Sequence, residues 1–333
     1  MKIGFFDIEG WEKEVLEREF PNFEILFTTE RLSSENAKKF QDLNIISVSI
    51  SSEVNKEVIN SLPNLKLIVT RSTGYDHIDV EYCKAKGIPV CNVPEYSTKT
   101  VAEWTIGLML NLMRKIYHAI DQIKETESFD LKSLRGEELY GKTLGVIGTG
   151  RIGKEVIKIA KAFGMNILAY AVHPDENFAK EYNITYTSLE ELLKNSDVIT
   201  IHVNLNPSTY HLINKENIKL IKRGAYLINT SRGKVVETEA LLYGLKEGIL
   251  KGVALDVLEE EEDIKEELEI LTKGEIKENE IRTLWQNHIL MKLPNVLVTP
   301  HNAFNSKEAI ERVLMTTIKN IKSFLEGKPI NVV

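Results

Sequence analysis

Residues 143–176 read TLGVIGTGRIGKEVIKIAKAFGMNILAYAVHPDE, and no other stretch constrains the fold as strongly. An apolar strand runs into Gly148-Thr149-Gly150-Arg151-Ile152-Gly153. A helix follows, with Ile152, Val156, Ile159, Ala160 and Phe163 on one face and Gly164 as its expected left-handed cap. Strand, glycine turn and helix in this order form the phosphate-binding opening of a dinucleotide fold. Gly148 permits the tight turn, Gly150 admits a pyrophosphate to the backbone, and Gly153 lets helix pack on strand. The first amides of the helix and the positive end of its dipole then hold the phosphate charge. A second apolar strand, Asn166 to Ala171, closes the unit. A dinucleotide site wants an Asp or Glu at that strand's end for the adenosine ribose 2′-OH. This chain has Ala171 there.

The pattern around this unit is repetitive. Short β-rich runs (KIGFFDI, IISVSI, LKLIVTR, IPVCNV, then VITIHV, AYLINT, GVALDV, NVLVTP) alternate with helical periods. That alternation predicts an α/β protein with two doubly wound parallel-sheet domains. The reading places a Rossmann-type dinucleotide domain, 101–299, inside a discontinuous flavodoxin-like substrate domain, 1–100 and 300–333. One long helix is expected from Val101 to Ile123, apolar nearly all round, so it should pack on a second body, domain or subunit. A final amphipathic helix carries Ile310, Val313, Leu314, Thr317, Ile318, Ile321 and Phe324 on one stripe. The acidic run LEEEEDIKEELEI reads as a solvated helix face.

Composition removes several classes of function. With 42 basic and 49 acidic residues the formal charge is −7, and no basic stripe offers a footprint for nucleic acid. The start MKIGFFDIEG lacks the apolar core of a signal peptide, and no apolar run is long enough to span a bilayer. Cys83 and Cys91 have neither disulfide-framework nor zinc spacing, which suits a reducing cytoplasm. Histidines 77, 118, 173, 202, 211 and 288 show no ligand spacing, so no metal is expected.

Three positions near later strand ends could carry chemistry. Arg232 in LINTSRGKVV, the carboxylates of ALDVLEEEE and His301 in VLVTPHNAF all fall where open α/β sheets place ligands. A guanidinium offers two parallel donors to a carboxylate and polarises a neighbouring carbonyl. A histidine can move the proton that accompanies hydride transfer. Each residue alone also has a bland reading, as a structural histidine, a surface arginine or one glutamate among four.

Taken together, the motifs RSTGYDHID, VPEYSTKTVAEWTIGLML, LGVIGTGRIGKEV, LINTSRGKVV, ALDVLEEEE and LPNVLVTPHNAF resemble the D-isomer-specific 2-hydroxyacid dehydrogenases over nearly the whole chain. The resemblance implies that Arg232 binds the substrate carboxylate and carbonyl, that His301 is the general acid/base, and that Glu261 pairs with it. It also implies substrate contacts at Thr73, Gly74, Tyr96 and Phe304. Implied cofactor contacts are Gly148, Gly150, Arg151, Ile152, Gly153, Ala171, Val203, Asn204, Thr209, Thr230, Ser231 and Asp256. The long helical segment between Glu261 and the TPH motif, with Phe304, is similar to the lactate branch of the family. The implied reaction is reversible reduction of pyruvate or a similar small 2-oxo acid to the D-2-hydroxy acid. A homodimer is implied, with the helix from Val101 as its interface. A glyoxylate or hydroxypyruvate reductase and a dinucleotide-sensing corepressor are the alternatives. Ala171 departs from the family's ribose-binding Asp, so NAD is expected as cofactor with NADP also accepted. Asp175, beyond Pro174, is the nearest carboxylate that could substitute.

Overall fold

The computed structural model describes residues 1–261 and 278–333. Of the acidic run after Asp256, Leu258 to Glu261 lie among these; the rest of the expected helical face, 262–270, lies outside them. The chain divides into two compact units, Met1–Ser97 with Asn305–Val333, and Thr98–Phe304.

The first unit is built on five parallel strands: β1 (Lys2–Phe5), β2 (Glu24–Phe27), β3 (Ile45–Val48), β4 (Leu67–Thr70) and β5 (Val90–Cys91). Their order, β2-β1-β3-β4-β5, is that of the flavodoxin-like doubly wound sheet. Every residue of β3 and β4 is buried, because parallel sheets are covered on both faces. Edge strand β2 is half exposed, with Glu24 facing out, and its mixed pattern hid it from the periodicity reading. Phe6, Phe40, Val58 and Ile68 pack on one face of the sheet. Phe5, Leu16, Val69 and the C-terminal helix residues Leu314, Ile318 and Ile321 pack on the other. Burying each of those last three contributes roughly 1.5–3 kcal/mol, which explains why the end of the chain returns to this unit. Ser306 starts that helix, Lys307–Leu325, by accepting the Ala309 amide at 3.2 Å.

The second unit holds seven parallel strands: β6 (Thr143–Ile147), β7 (Asn166–Tyr170), β8 (Thr185–Tyr186), β9 (Val198–Ile201), β10 (Ala225–Asn229), β11 (Leu250–Leu255) and β12 (Val296–Val298). Their order is β12-β11-β10-β9-β6-β7-β8. Counted from β6 this is the Rossmann order 3-2-1-4-5-6 with one strand added at the β12 edge. The chain leaves β6 toward β7 and later returns to place β9 on the opposite side. That reversal opens a crevice outside the carboxyl ends of β6 and β9, where such folds bind ligands.

One expectation about the helices needs correction. The segment from Val101 does not form a single helix: it breaks at Lys115, whose φ is +53°, into Thr98–Arg114 and Ile116–Thr126. The first piece packs within its own unit. Its Ala102, Ile106, Met109, Leu112 and Met113 are buried in the core of its own unit, with Leu144, Val156 and Ala160. The second piece buries none of its residues.

Candidate active site

The three glycines after β6 are required for three different reasons. Gly148 has φ +93°, and a Cβ there would also stand 2.6 Å from the His202 carbonyl oxygen. A Cβ on Gly153 would lie 2.0 Å from the Gly148 carbonyl oxygen, so only glycine lets the helix Arg151–Ala162 sit on its strand. Gly150 has φ −70° and a Cβ there would meet nothing within 4 Å. Neither backbone nor packing demands glycine at 150. The open space in front of it lies at the amino-terminal end of the helix Arg151–Ala162, where a fold of this kind can hold a phosphate.

Ala171 follows β7 directly, next to Tyr170, whose carbonyl accepts the Gly148 amide at 2.8 Å. It is half-buried, and Val172 beside it is 77% exposed. Asp175 does not take over the missing acid's place. It accepts the Phe178 amide at 3.0 Å as an N-cap and pairs with Lys154 Nζ at 2.5 Å. Lys154 holds its carboxyl below the usual aspartate range.

Of the other expected cofactor contacts, Val203, Asn204 and Thr209 follow β9, and Thr230 and Ser231 follow β10. Val203 abuts the Gly148 turn, where its Cγ1 would be 2.8 Å from an added Cβ. The loop beyond it is internally tied, Thr209 Oγ1 donating to the Asn204 carbonyl at 2.6 Å. After β10, Thr230 Oγ1 bonds Thr105 Oγ1 at 3.0 Å. Ser231 donates amide and hydroxyl to Asn229 Oδ1 at 3.0 and 2.8 Å, and Asn229 Nδ2 donates to the Arg232 carbonyl at 2.9 Å. Asn229, 1% exposed, thus shapes the turn that carries Arg232. The sequence reading passed over it; the asparagine ending a fully buried strand was the available signal.

The candidate acid/base lies two strands further. His301 Nδ1 is 2.6 Å from Glu261 Oε1, with both side chains mostly buried. His301 has φ +52°, a left-handed conformation that costs a non-glycine residue about 1–3 kcal/mol. Asp256 sustains it. Its carbonyl accepts the His301 amide at 2.9 Å, and its carboxylate accepts Thr299 Oγ1 at 2.5 Å, the Asn302 amide at 3.0 Å and the Ala303 amide at 2.9 Å. Burial raises the Asp256 pKa despite these bonds. At 1% exposure the side chain is a mounting for His301. The Phe304 ring stands edge-on to the His301 imidazole, centroids 6.2 Å apart.

Arg232 follows β10, and its Nη1 donates to the Ser231 carbonyl at 2.8 Å. The next residue shows how close this turn runs to the one bearing Glu261. A Cβ on Gly233 would fall 1.9 Å from the Leu258 carbonyl oxygen and 2.5 Å from the Glu259 nitrogen. The glycine after Arg232 is therefore a contact requirement between the turn bearing the guanidinium and the turn bearing Glu261. A cavity of about 700 Å³ opens beside the pair; Trp104, Leu108, Leu258 and Met291 line it along with Glu261 and His301.

In the first unit, Thr73 and Gly74 form a turn just beyond β4. Asn92 Nδ2 donates to the Thr73 carbonyl at 2.8 Å, and Ser72 Oγ donates to the Gly74 carbonyl at 2.6 Å. Among the described residues neither turn amide has a protein acceptor. The Tyr96 carbonyl accepts Arg312 Nε at 2.7 Å, fixing the loop on which that tyrosine stands.

The model of the D-isomer specific 2-hydroxyacid dehydrogenases, NAD binding domain, matches residues 106–303. A 2-hydroxyacid dehydrogenase homologue of Zymomonas mobilis is 35% identical, with 98% of each chain covered. An aromatic 2-oxoacid reductase of Clostridium sporogenes is 39% identical over 84% of this chain and 82% of its own. Among solved structures, D-lactate dehydrogenase from Aquifex aeolicus, complexed with NAD and lactic acid, superposes with a TM-score of 0.88 at 38% identity. That match covers 98% of this chain and 96% of the other.

Proposed function

The chain belongs to the D-isomer-specific 2-hydroxyacid dehydrogenases, and on that premise we propose that it is a D-lactate dehydrogenase. It reduces pyruvate or a similar small 2-oxo acid, reversibly, with NADH and also with NADPH. The observation that carries this reading is the 2.6 Å contact between His301 Nδ1 and Glu261 Oε1 on loops at the carboxyl end of a dinucleotide-binding sheet.

The nicotinamide cofactor supplies the hydride when bound at the glycine turn. The chain's own groups do the rest. With Nδ1 engaged by Glu261, His301 presents Nε2, which gives its proton to the substrate carbonyl oxygen on reduction and removes it on oxidation. The Glu261 carboxylate stabilises the imidazolium that must exist before the transfer. Arg232 grips the substrate carboxylate through its planar fork and stabilises charge developing on the carbonyl oxygen. The Thr73 and Gly74 amides of the first unit are assigned to the carboxylate, and Tyr96 and Phe304 to the substrate's shape.

A second copy of the chain is the proposed partner. Ile116, Tyr117, Ile120 and Ile123 of the helix Ile116–Thr126 are each 39–53% exposed, an apolar stripe that the described residues leave partly uncovered. Among the described residues no helix is long and apolar enough to cross a membrane, and the cytoplasm is the proposed location.

A bulkier 2-oxo acid is the second reading, favoured by the 39% identity to an aromatic 2-oxoacid reductase. One substrate panel tests both: pyruvate, hydroxypyruvate, glyoxylate and phenylpyruvate, each with NADH and NADPH. Pyruvate should give the highest kcat/KM, with D-lactate as product. A preference for phenylpyruvate would move the assignment to the second reading, and no turnover with any of the four would overturn the enzyme.

A further inference from the structure

We infer that His211 and Glu259 form a positioning pair that holds the Glu261 carboxylate against His301 and in register with Arg232. The inference rests on the roles proposed above for those three residues.

The acids after β11 look interchangeable in sequence, but each of Glu259, Glu260 and Glu261 has its own partner. Glu261 takes His301. Glu260, with φ +50°, pairs with Lys234 at 3.0 Å. Glu259 turns inward and is 8% exposed. Its Oε1 meets His211 Nε2 at 2.6 Å, its Oε2 accepts the Thr238 amide at 2.6 Å, and its carbonyl accepts Asn287 Nδ2 at 2.6 Å. A turn whose first residue is fixed at both backbone and side chain, and whose second is held left-handed, leaves the third residue's direction largely determined. That third residue is Glu261.

His211 connects this turn to the other catalytic one. It lies in the loop after β9, and its amide donates to the Lys234 carbonyl at 2.9 Å, two residues past Arg232. One residue therefore binds the Arg232 turn through its backbone and the Glu261 turn through its side chain. The missing Cβ of Gly233 shows that these two turns touch, and His211, beside the Lys234–Glu260 ion pair and the Thr238 amide, helps fix how they register. Without it, the buried Glu259 carboxylate would keep one donor to its side chain and lose its partner at Oε1, an arrangement that drives a carboxylate to reorient or to draw in water.

The test is a double-mutant cycle on the full-length enzyme, with His211→Ala and His211→Gln each made in the original and the Glu261→Gln backgrounds. We expect His211→Ala to lower kcat roughly tenfold with the KM for NADH unchanged, and to shift the pH profile in the same direction as Glu261→Gln. His211→Gln retains an N–H donor and should restore most of the activity. In the Glu261→Gln background, His211→Ala should cost less than about twofold in kcat, because there is no carboxylate left to position. If the alanine variant fails to fold, His211→Asn, whose amide is too short to reach Glu259, replaces it. Equal losses in both backgrounds, or a lowered melting temperature with an unshifted pH profile, would reduce the pair to a structural clamp and overturn the inference. Original kinetics in Glu261→Gln itself would overturn the proposed function and the inference together. An impaired Glu261→Gln alongside unaffected His211 variants would sink the inference alone.

Discussion

The Asp175 carboxylate lies 2.5 Å from the Lys154 ammonium and caps the helix Glu176–Tyr182, so it is held away from the rim where Ala171 stands. Asp175 is then not placed to accept hydrogen bonds from a ribose 2′-OH or to repel a 2′-phosphate at that strand end. Losing one charge-assisted hydrogen bond costs about 1.5–3 kcal/mol, roughly 10- to 100-fold in NAD affinity. NADPH should therefore be used about as well as NADH or better, and Ala171→Asp should shift the kcat/KM ratio toward NADH by roughly 10- to 100-fold. If the sequence as given already prefers NADH on the order of a thousandfold, another group reads the ribose.

Gly150 and Gly153 should respond differently to the same substitution. Gly150→Ala adds a methyl into open space at an ordinary φ, so its melting temperature should stay close to the original. Its dinucleotide affinity, read by fluorescence titration, should fall on the order of tenfold or more, because the methyl occupies the approach of the pyrophosphate. Gly153→Ala drives a Cβ to 2.0 Å from the Gly148 carbonyl and should cost about 1–3 kcal/mol of stability or more. Equal thermal destabilisation in both variants would contradict the assignment of Gly150 to a ligand.

Arg232→Lys keeps the charge but loses the planar two-pronged grip. The variant should raise the KM for pyruvate and lower kcat, with cofactor affinity little changed. Original kinetics in this variant would remove Arg232 from the site.

Glu137 gives a stability prediction with a defined pH window. Lys142, 2.6 Å away, and then Lys251 push its pKa from 4.5 down to about 2. A depressed carboxylate stabilises the fold above its unfolded pKa and loses that contribution as pH falls through the folded value. Its partly exposed setting limits the effect to on the order of 1 kcal/mol. Glu137→Gln should lower the melting temperature by roughly 2–4 °C at pH 7. The gap between the two proteins should narrow as pH drops from about 4.5 toward 2. A gap of the same size at pH 7 and pH 3 would assign the effect to packing.

What could be read from the residues, and what could not, follows from how far each signal reaches along the chain. The glycine turn was legible because strand, cradle and helix are contiguous in the chain. The buried strands β3, β4, β9 and β10 were legible as continuous apolar runs. Edge strands β2 and β8 were not, since one is half exposed and the other has two residues. The break at Lys115 carries no glycine or proline to announce it. The bonds by which Asp256 holds the His301 turn were not legible, because they reach amides 46 and 47 residues away. The separate duties of Glu259, Glu260 and Glu261 were invisible for the same reason, as each partner comes from a different loop.

The most direct measurement is the steady-state kcat for pyruvate reduction by His301→Ala, taken with a dinucleotide-binding titration on the same preparation. The proton donor is removed while the glycine turn is untouched, so kcat should fall by roughly 10²–10⁴-fold with dinucleotide affinity nearly intact. Turnover within a few-fold of the original at intact affinity would contradict the account, because His301 would not then be the group that moves the proton.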